Sequence, residues 1–441
     1  MPHGPGLIIA APSSGSGKTS VVLGLLRLLA GRGLPVASAK VGPDYIDPAF
    51  HAAASGRPCF NLDGWAMRPA TVAALAAKLA GNAGMVVCEG VMGLFDGAFV
   101  APGQPDGSTA DLAALTGWPV VLVIDARGMA GSAAAVLAGF ARLRSDIAVK
   151  GVIFNRVSGE RHRAAIANAC LTACPEVRLL GFLPSDAGLA MPSRHLGLVQ
   201  ACERPDLAAF LDGAGALMER HLDIDALVAL ARPSRLAAAH PSPPVPPPGS
   251  RIAVAADSAF AFAYPATLDG WREAGAALSM FSPLADQAPD PAADAVYLPG
   301  GYPELHAGRL AAATTFLAGL RAAAGRGAAV LGECGGYMVL GNALVDADGT
   351  AHAMAGLLGL ETSFAQRRLH LGYRGATLRH AGALGQAGDG FHGHEFHYAT
   401  ILAEQGEPLF ATTDAAGDAL GTCGLTAGRV AGSFIHLIDR V

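Results

Sequence analysis

Two short segments carry residue types whose spacing suits chemistry. The first, Ala11-Pro-Ser-Ser-Gly-Ser-Gly-Lys-Thr19, sets Ser14, Gly15, Ser16 and Gly17 ahead of a Lys–Thr pair. Glycines at such a turn let backbone N–H groups face phosphate oxygens, and a following helix N-terminus adds partial positive charge. Lys18 would then reach the β- and γ-phosphates of a nucleotide, and the Thr19 hydroxyl would be a Mg²⁺ ligand. Pro12 stands where the first glycine of the usual G-x-x-x-x-G-K-[ST] pattern falls, so this is a variant loop. The second segment, Gly332-Glu-Cys-Gly-Gly-Tyr-Met-Val-Leu-Gly341, follows an apolar run and opens a helix. A cysteine on so sharp a turn is exposed to attack a substrate. Gly335 and Gly336 leave room for backbone amides, and the helix N-terminus favours the thiolate of Cys334. A thiolate needs a base nearby, and His436 in Gly432-Ser-Phe-Ile-His436 is the candidate.

Two more segments supply what a phosphate loop needs. Lys40-Val-Gly-Pro-Asp-Tyr-Ile-Asp-Pro48 follows the second apolar strand, at the edge where α/β sheets bind ligands. Lys40 can stabilise charge on a transferring phosphoryl group, and Asp44 or Asp47 can hold Mg²⁺. The competing reading of both aspartates is turn capping. Val86-Val-Cys-Glu-Gly90 ends the third strand on Glu89, a natural metal ligand in that place. The glycine-rich run to Gly97 suits close approach to a ligand.

These residues need elements to hold them. The chain has 441 residues, 51% of them hydrophobic, and a mean hydropathy of +0.37, enough for two or three domains. The clearest boundary is the proline-rich stretch 233–250, expected to be a stiff extended linker between domains over 1–232 and 251–441. Before it, apolar strands (6–10, 35–40, 84–88, 119–124, 150–154, 178–182) alternate with helical stretches starting near 18, 70, 131 and 161, with one more over 205–230. That alternation predicts a mostly parallel sheet covered on both faces. After the linker the pattern restarts with strands at 251–255, 277–281, 295–298 and 328–331 and helices at 267–274 and 303–324. An antiparallel end follows residue 356. The fold class is α/β in both domains: an N-terminal P-loop parallel-sheet domain and a C-terminal α/β domain carrying Cys334.

Charge and cysteine usage narrow the setting. Net charge is −5 with no block of Lys or Arg, which argues against nucleic acid as the main partner. No apolar run reaches the ~18 residues that cross a bilayer, and Met1 to Gly6 lacks the basic start of a signal peptide. Seven scattered cysteines, odd in number, fit a reducing cytoplasm with one of them reactive.

Together, Ser13-Ser-Gly-Ser-Gly-Lys-Thr19, Lys40–Pro48 and Glu89-Gly-Val-Met-Gly-Leu-Phe-Asp-Gly97 resemble the cobyrinic and hydrogenobyrinic acid a,c-diamide synthases. The ATP domain of that family is related to dethiobiotin synthetase. Asn61-Leu-Asp63 and Asn155-Arg156 extend the likeness, which covers essentially the whole chain. It implies ATP with Mg²⁺, glutamine and a corrin-type tetrapyrrole acid, each acetate carboxylate being phosphorylated and then attacked by ammonia. It also implies Mg²⁺ on Thr19, on Asp44 or Asp47, and on Glu89, with Asn155 where the relative reads adenine; strand-end capping is the other reading of Asn155. The second half resembles class I glutamine amidotransferases, in which the cysteine forms a thioester and releases ammonia. Leu298-Pro-Gly-Gly-Tyr302 resembles their oxyanion loop, so Gly300 and Gly301 join Gly335 around the glutamine carbonyl. Many members place Glu two residues after the His; here Ile438 stands there and Asp439 follows, so only a Cys334–His436 pair carries over.

Within this class, cobyric acid synthase and nickel-sirohydrochlorin a,c-diamide synthase are the alternatives. From another class, the first half suits a partitioning-type ATPase, against which the fused cysteine half argues. His394, Glu395 and His397 read either as metal ligands or as a strand with alternating faces, and a structural or interface role is the expectation, as for Gly372-Tyr-Arg374. Tyr45, Arg194 and His195 are placed near a macrocycle by position alone, and a homodimer is a further expectation.

Overall fold

The computed structural model describes all residues except 1–3, 82, 190, 192, 195, 196, 238, 240 and 241, with backbone alone at 187, 193, 194, 197 and 198. The chain divides into two compact units, Met1–Trp65, Pro69–Ala98 and Gln104–His240 in one, and Ala66–Arg68, Phe99–Gly103 and Pro241–Val441 in the other.

The first unit is built on strands β1 (Pro5–Ala10), β2 (Val36–Val41), β3 (Cys59–Leu62), β4 (Met85–Glu89), β5 (Val120–Asp125), β6 (Val149–Val157) and β7 (Arg178–Pro184). They lie in the order β3-β2-β4-β1-β5-β6-β7, all parallel along that path. Leu7, Ile8 and Ile9 are fully buried, as are Val121 to Val123, because helices cover both faces of such a sheet. Those helices are α1 (Lys18–Gly31), α2 (Asp47–Ser55), α3 (Pro69–Gly81), α4 (Thr109–Thr116), α5 (Ser132–Arg142), α6 (Glu160–Ala173), α7 (Leu207–His221) and α8 (Ile224–Leu230). Of the strands and helices just named, β3, α2 and α4 lie outside the sequence expectations. Each is short, and α2 begins inside Lys40–Pro48, a segment read for its polar residues rather than its periodicity. The predicted single helix over 205–230 is two, because Asp223 accepts from the Ala226 N–H and caps a new start.

Register brings the chemistry together. Ile9 is opposite Glu89 across β1 and β4, and Lys40 is opposite Glu89 across β2 and β4. The ends of three adjacent strands therefore reach one level at the carboxyl edge, beside the loop that follows β1.

Neither end of the proline-rich stretch is a bare tether. After the hairpin of β8 (Ser193–Arg194) and β9 (Gly197–Leu198), the short β10 (Arg232–Pro233) pairs antiparallel with β1, and Arg235 N–H donates to the Thr116 carbonyl. At the other end Val245 is buried, with its carbonyl accepting from the Trp271 indole N–H, and the Pro244 carbonyl accepts from Arg440 N–H. Prolines lack donors but keep their carbonyls, and the chain uses them.

The second unit starts with β11 (Arg251–Ala255), α9 (Pro265–Glu273), β12 (Ala277–Phe281), β13 (Ala295–Leu298), α10 (Ala307–Ala312), α11 (Thr314–Gly325), β14 (Ala329–Glu333) and α12 (Gly335–Leu340). The predicted helix over 303–324 is a 3₁₀ turn from Pro303 to His306 followed by α10 and α11, broken at Ala313. The remainder, antiparallel except where β15 pairs with β17 and β23 with β14, runs through β15 (Ala343–Val345), β16 (Ala351–Ala353), β17 (Gly359–Ser363), β18 (His370–Leu378), β19 (Gly390–His397), β20 (Thr400–Gln405), β21 (Glu407–Thr413), β22 (Ala419–Ala427), β23 (Val430–Ser433) and β24 (Ile435–Arg440). The main sheet has the order β12-β11-β13-β14-β23-β22-β21-β18-β19-β24, and β16-β15-β17-β20 form a smaller one. One core packs Phe260, Phe316, Leu310 and Tyr337; another packs Trp271, Tyr297, Phe391 and Phe410.

Leu122, wholly buried in β5, tests the first sheet. Leu122→Ala is expected to cost about 2–5 kcal/mol, read as a lower urea midpoint for the transition of the first unit.

Candidate active sites

The phosphate loop closes on itself before α1. Ser16 Oγ donates to the Ser13 carbonyl (2.9 Å), and Gly15 and Gly17 have φ of 78° and 88°, in the left-handed region. At Gly17 a Cβ would lie 2.3 Å from Asn155 Nδ2, so both conformation and space demand glycine. The glycine-rich run after β4 lies along the loop: Gly90 N–H donates to the Ile9 carbonyl and Leu94 N–H to the Ala11 carbonyl. Lys18, nearly buried, donates to the Met92 carbonyl at 3.1 Å. Burial and the neighbouring Lys40 lower its pKa to about 8, despite the pull of Glu89, Asp47 and Asp44.

Glu89 is the node of this site. Its side chain is fully buried, and Oε1 accepts from Thr19 Oγ1 at 2.6 Å and pairs with Lys40 Nζ at 3.0 Å. Its Oε2 meets His51 Nε2 at 2.7 Å. Burial opposes charge there, but Lys40, His51 and Lys18 outweigh it and hold the carboxyl well below the usual carboxylate range. Lys40 also pairs with Asp47 at 2.6 Å and stays firmly protonated: burial alone would lower it, and Asp47 and Glu89 more than offset that. Asp47, desolvated and beside Asp44, is raised to about 6.

The two candidate aspartates therefore differ from Glu89. Asp44 Oδ1 accepts from the N–H groups of Ile46 and Asp47, which is the turn-capping role. Asp47 is tied to Lys40. Asn155, placed by resemblance at adenine, turns its amide nitrogen onto the Ser16 carbonyl at 2.9 Å and so braces the loop backbone. Arg156 does the same to the Gly15 carbonyl, anchored on Asp125. His51 was not singled out from sequence. Its signal is its spacing, four residues after Asp47 and one helical turn along α2. Its Nδ1 lies 3.5 Å from Cys59 Sγ, and although burial disfavours its charge, Cys59 and Glu89 raise it to about 10. Tyr45 is buried, and His195 lies outside the described residues.

In the second unit, Cys334 sits between β14 and α12 with φ 46° and ψ −103°, a strained conformation for a residue with a Cβ. Its N–H donates to the Ser433 carbonyl at 2.8 Å. Burial, with Glu304 next, pushes the thiol well above its ordinary value, the Gly335 N–H pulling the other way. The resting sulfur is thus a thiol, and a base has work to do. His436 is fully buried, and burial with His394 and His397 lowers it to about 3, so its imidazole is neutral and able to accept a proton. The oxyanion loop meets His436 and the residue after Cys334. A Cβ on Gly300 would lie 2.3 Å from His436 Cε1, and the Cβ position of Gly335 is 3.0 Å from the Gly301 nitrogen. Gly300 therefore packs against His436, and Gly301 against Gly335, the residue that follows Cys334.

Asp439 takes no part as an orienting acid. It accepts from Arg68, through the backbone N–H at 2.9 Å and through Nη2 at 2.6 Å, where Ala66–Arg68 groups with this unit. Glu395 accepts from Arg374 Nε (2.8 Å) and meets His397 Nε2 (2.9 Å), and the His397 ring stacks on Phe434 and on His370, nearly parallel to both. Parallel rings send their in-plane lone pairs side by side rather than onto one point, and Arg374 already neutralises the carboxylate. His370, Glu395 and His397 thus form a charge network and a poor cage for a cation, although their ligand atoms lie within 4.8 Å of one another.

Comparison with known proteins meets this geometry at both sites. Residues 7–199 match the CobQ/CobB/MinD/ParA nucleotide-binding domain, and residues 251–440 match the CobB/CobQ-like glutamine amidotransferase domain. The hydrogenobyrinate a,c-diamide synthase of Rhodobacter capsulatus is 54% identical over 444 residues, covering 99% of this chain and all of that one. Those of Brucella anthropi and Rhizobium meliloti are each 53% identical, covering 98% of this chain and 98–99% of theirs. The chain belongs to the hydrogenobyrinate a,c-diamide synthase family. It is a glutamine amidotransferase with a nucleotide-binding half. Among the described residues no helix is long and apolar enough to cross a membrane.

Two outcomes follow for these sites. Gly17→Ala is expected to weaken ATP binding at least tenfold by calorimetry, since it forces a left-handed alanine against Asn155. In the second unit, burial and Arg374 lower His394 to about 4, against the pull of Glu395. A depressed histidine favours the folded state fully above its unfolded value near 6.5, and that support is lost as pH falls from 6.5 towards 4. The loss is roughly 3 kcal/mol at ~1.4 kcal/mol per unit. Urea midpoints taken between pH 7 and 4 are expected to fall less steeply in His394→Phe than in the wild type.

Proposed function

We propose that this enzyme amidates the a and c acetate carboxylates of hydrogenobyrinate, using ATP with Mg²⁺ and glutamine-derived ammonia, in the cytoplasmic building of cobalamin. The full-length likeness to enzymes of that name carries the reading, and the two reactive centres in one chain support it.

Each amide needs an activated carboxylate, because a carboxylate is a poor electrophile. A carboxylate oxygen attacks the γ-phosphorus, the P–O bond to ADP breaks, and an acyl phosphate forms. Lys18 would reach the β- and γ-phosphates, and Lys40, held protonated by Asp47 and Glu89, would supply a fixed cation at the same strand edge. Mg²⁺ takes oxygen ligands, and Thr19 Oγ1 and Glu89 Oε1, 2.6 Å apart, are a donor pair that fits it. Asp47 could join them, and it shares Lys40 with Glu89 Oε1. When bound, Mg²⁺ neutralises charge on the β,γ-phosphate oxygens.

In the other half, Cys334 Sγ attacks the glutamine side-chain carbonyl as His436 takes the thiol proton. The oxyanion faces the N–H groups of the Gly300–Gly301 loop and Gly335. Collapse of the tetrahedral adduct, with His436 returning the proton, breaks the C–N bond and frees ammonia. Water then hydrolyses the thioester to glutamate. Ammonia attacks the acyl phosphate carbon, phosphate leaves, and the amide remains.

Purified enzyme given hydrogenobyrinate, ATP, Mg²⁺ and glutamine is expected to yield a diamide with two ADP and two glutamate per macrocycle. Cys334→Ala should lose at least ~10³-fold of glutamine-supported amidation while keeping turnover with added ammonium. ATP hydrolysis that never leads to amidation of the macrocycle would favour a partitioning-type ATPase and defeat the proposal.

A further inference from the structure

Glu333 precedes the nucleophile, is almost fully buried, and has no step in the chemistry above. It occupies the last position of β14, an otherwise apolar strand of Ala-Val-Leu-Gly-Glu. An acid buried in such a place needs partners, and its two oxygens find one each. Oε2 accepts from the Tyr297 hydroxyl at 2.7 Å, and Oε1 accepts from the Leu437 N–H at 3.3 Å.

Those partners lie on the strands that set the catalytic geometry. Tyr297 belongs to β13, which runs out after Leu298 into the Gly300–Gly301 loop. Leu437 is the residue after His436 on β24. Glu333 itself is bonded to Cys334 through the chain. One carboxyl group thus joins the strand leading to the oxyanion loop, the strand leading to the nucleophile, and the peptide next to the base.

The same loop seats the imidazole directly, since Gly300 lies against His436 Cε1 so closely that no side chain fits between. Ile438 is buried where a triad acid would stand, and Asp439 is held by Arg68. Glu333 touches the strand that carries the base and the strand that leads to its seat.

We infer that Glu333 is a positioning residue for glutamine hydrolysis, fixing His436 relative to Cys334 through the Leu437 N–H and the Tyr297 hydroxyl. This rests on the glutaminase reading of the second half. A loosened base slows proton transfer without weakening substrate binding, so the effect belongs in kcat rather than KM. Glutamine is the conservative replacement, because its Oε1 can accept from Leu437 N–H and its Nε2 can donate to the tyrosine oxygen. Methionine has similar length and no comparable acceptor.

The test compares Glu333→Gln and Glu333→Met with the wild type, measuring kcat and KM for glutamine hydrolysis and ammonium-supported amidation in the full chain. Glu333→Gln is expected within threefold of wild type. Glu333→Met is expected to lose at least 30-fold in kcat with KM within threefold, while ammonium-supported turnover persists. Equal kcat in Glu333→Met and wild type, or a loss confined to KM, would overturn the inference. If Glu333→Met does not fold, judged by lost ammonium-supported turnover, Tyr297→Phe decides. A kcat loss of about fivefold at unchanged KM supports the role, and wild-type kcat refutes it. A wild type without glutamine hydrolysis would instead defeat the glutaminase reading itself.

Discussion

A buried carboxylate must be neutralised or it will not stay charged, and in the first unit that constraint falls on Glu89. Three donors from different elements meet it: Thr19 from the phosphate-loop helix, Lys40 from β2, and His51 from α2. Each contact fixes its element against β4. Removing Lys40 or His51 leaves an under-compensated charge in the core, and removing Glu89 takes the carboxylate from His51 and leaves Lys40 with Asp47 alone. The same group that holds the loop, the second strand and α2 together also presents an oxygen beside Thr19, where a cation with nucleotide phosphate would enter. Structure and chemistry use one charge, so neither can be altered alone.

The second unit solves a different problem. A sulfur nucleophile, buried in the resting protein, is placed on a turn that costs conformational energy, with Cys334 held at positive φ. Neighbouring strands hold that strain in place: the Ser433 carbonyl takes the Cys334 N–H, and parallel pairing of β14 with β23 fixes the approach. Burial keeps both thiol and imidazole neutral in the resting protein. The reaction must therefore move a proton within a dry site, which makes the relative placement of Cys334, His436 and the glycine loop more decisive than any resting charge.

Much of this was legible in the sequence because the signals are local. Continuous apolar runs gave away the parallel strands, and Gly-Ser-Gly-Lys-Thr and Glu-Cys-Gly-Gly each mark a turn between strand and helix. What could not be read was long-range partnership. Asp44 and Asp47 look alike in the chain; only folding shows one capping a turn and the other paired with Lys40. Asn155 reads as a ligand-facing amide until Gly17 is seen pressed against it. His51 and Glu333 are lone polar residues in apolar surroundings, and their meaning lies in partners 38 and 104 residues away. Asp439 looked available to His436, yet Arg68, 371 positions earlier, holds it.

The most direct measurement follows oxygen. Hydrogenobyrinate labelled with ¹⁸O in its acetate carboxylates, amidated with ATP and glutamine, should pass one labelled oxygen to inorganic phosphate for every amide formed, with ADP as the other product. Label appearing in AMP, or none reaching phosphate, would contradict activation by phosphoryl transfer at the Lys18–Lys40–Glu89 edge.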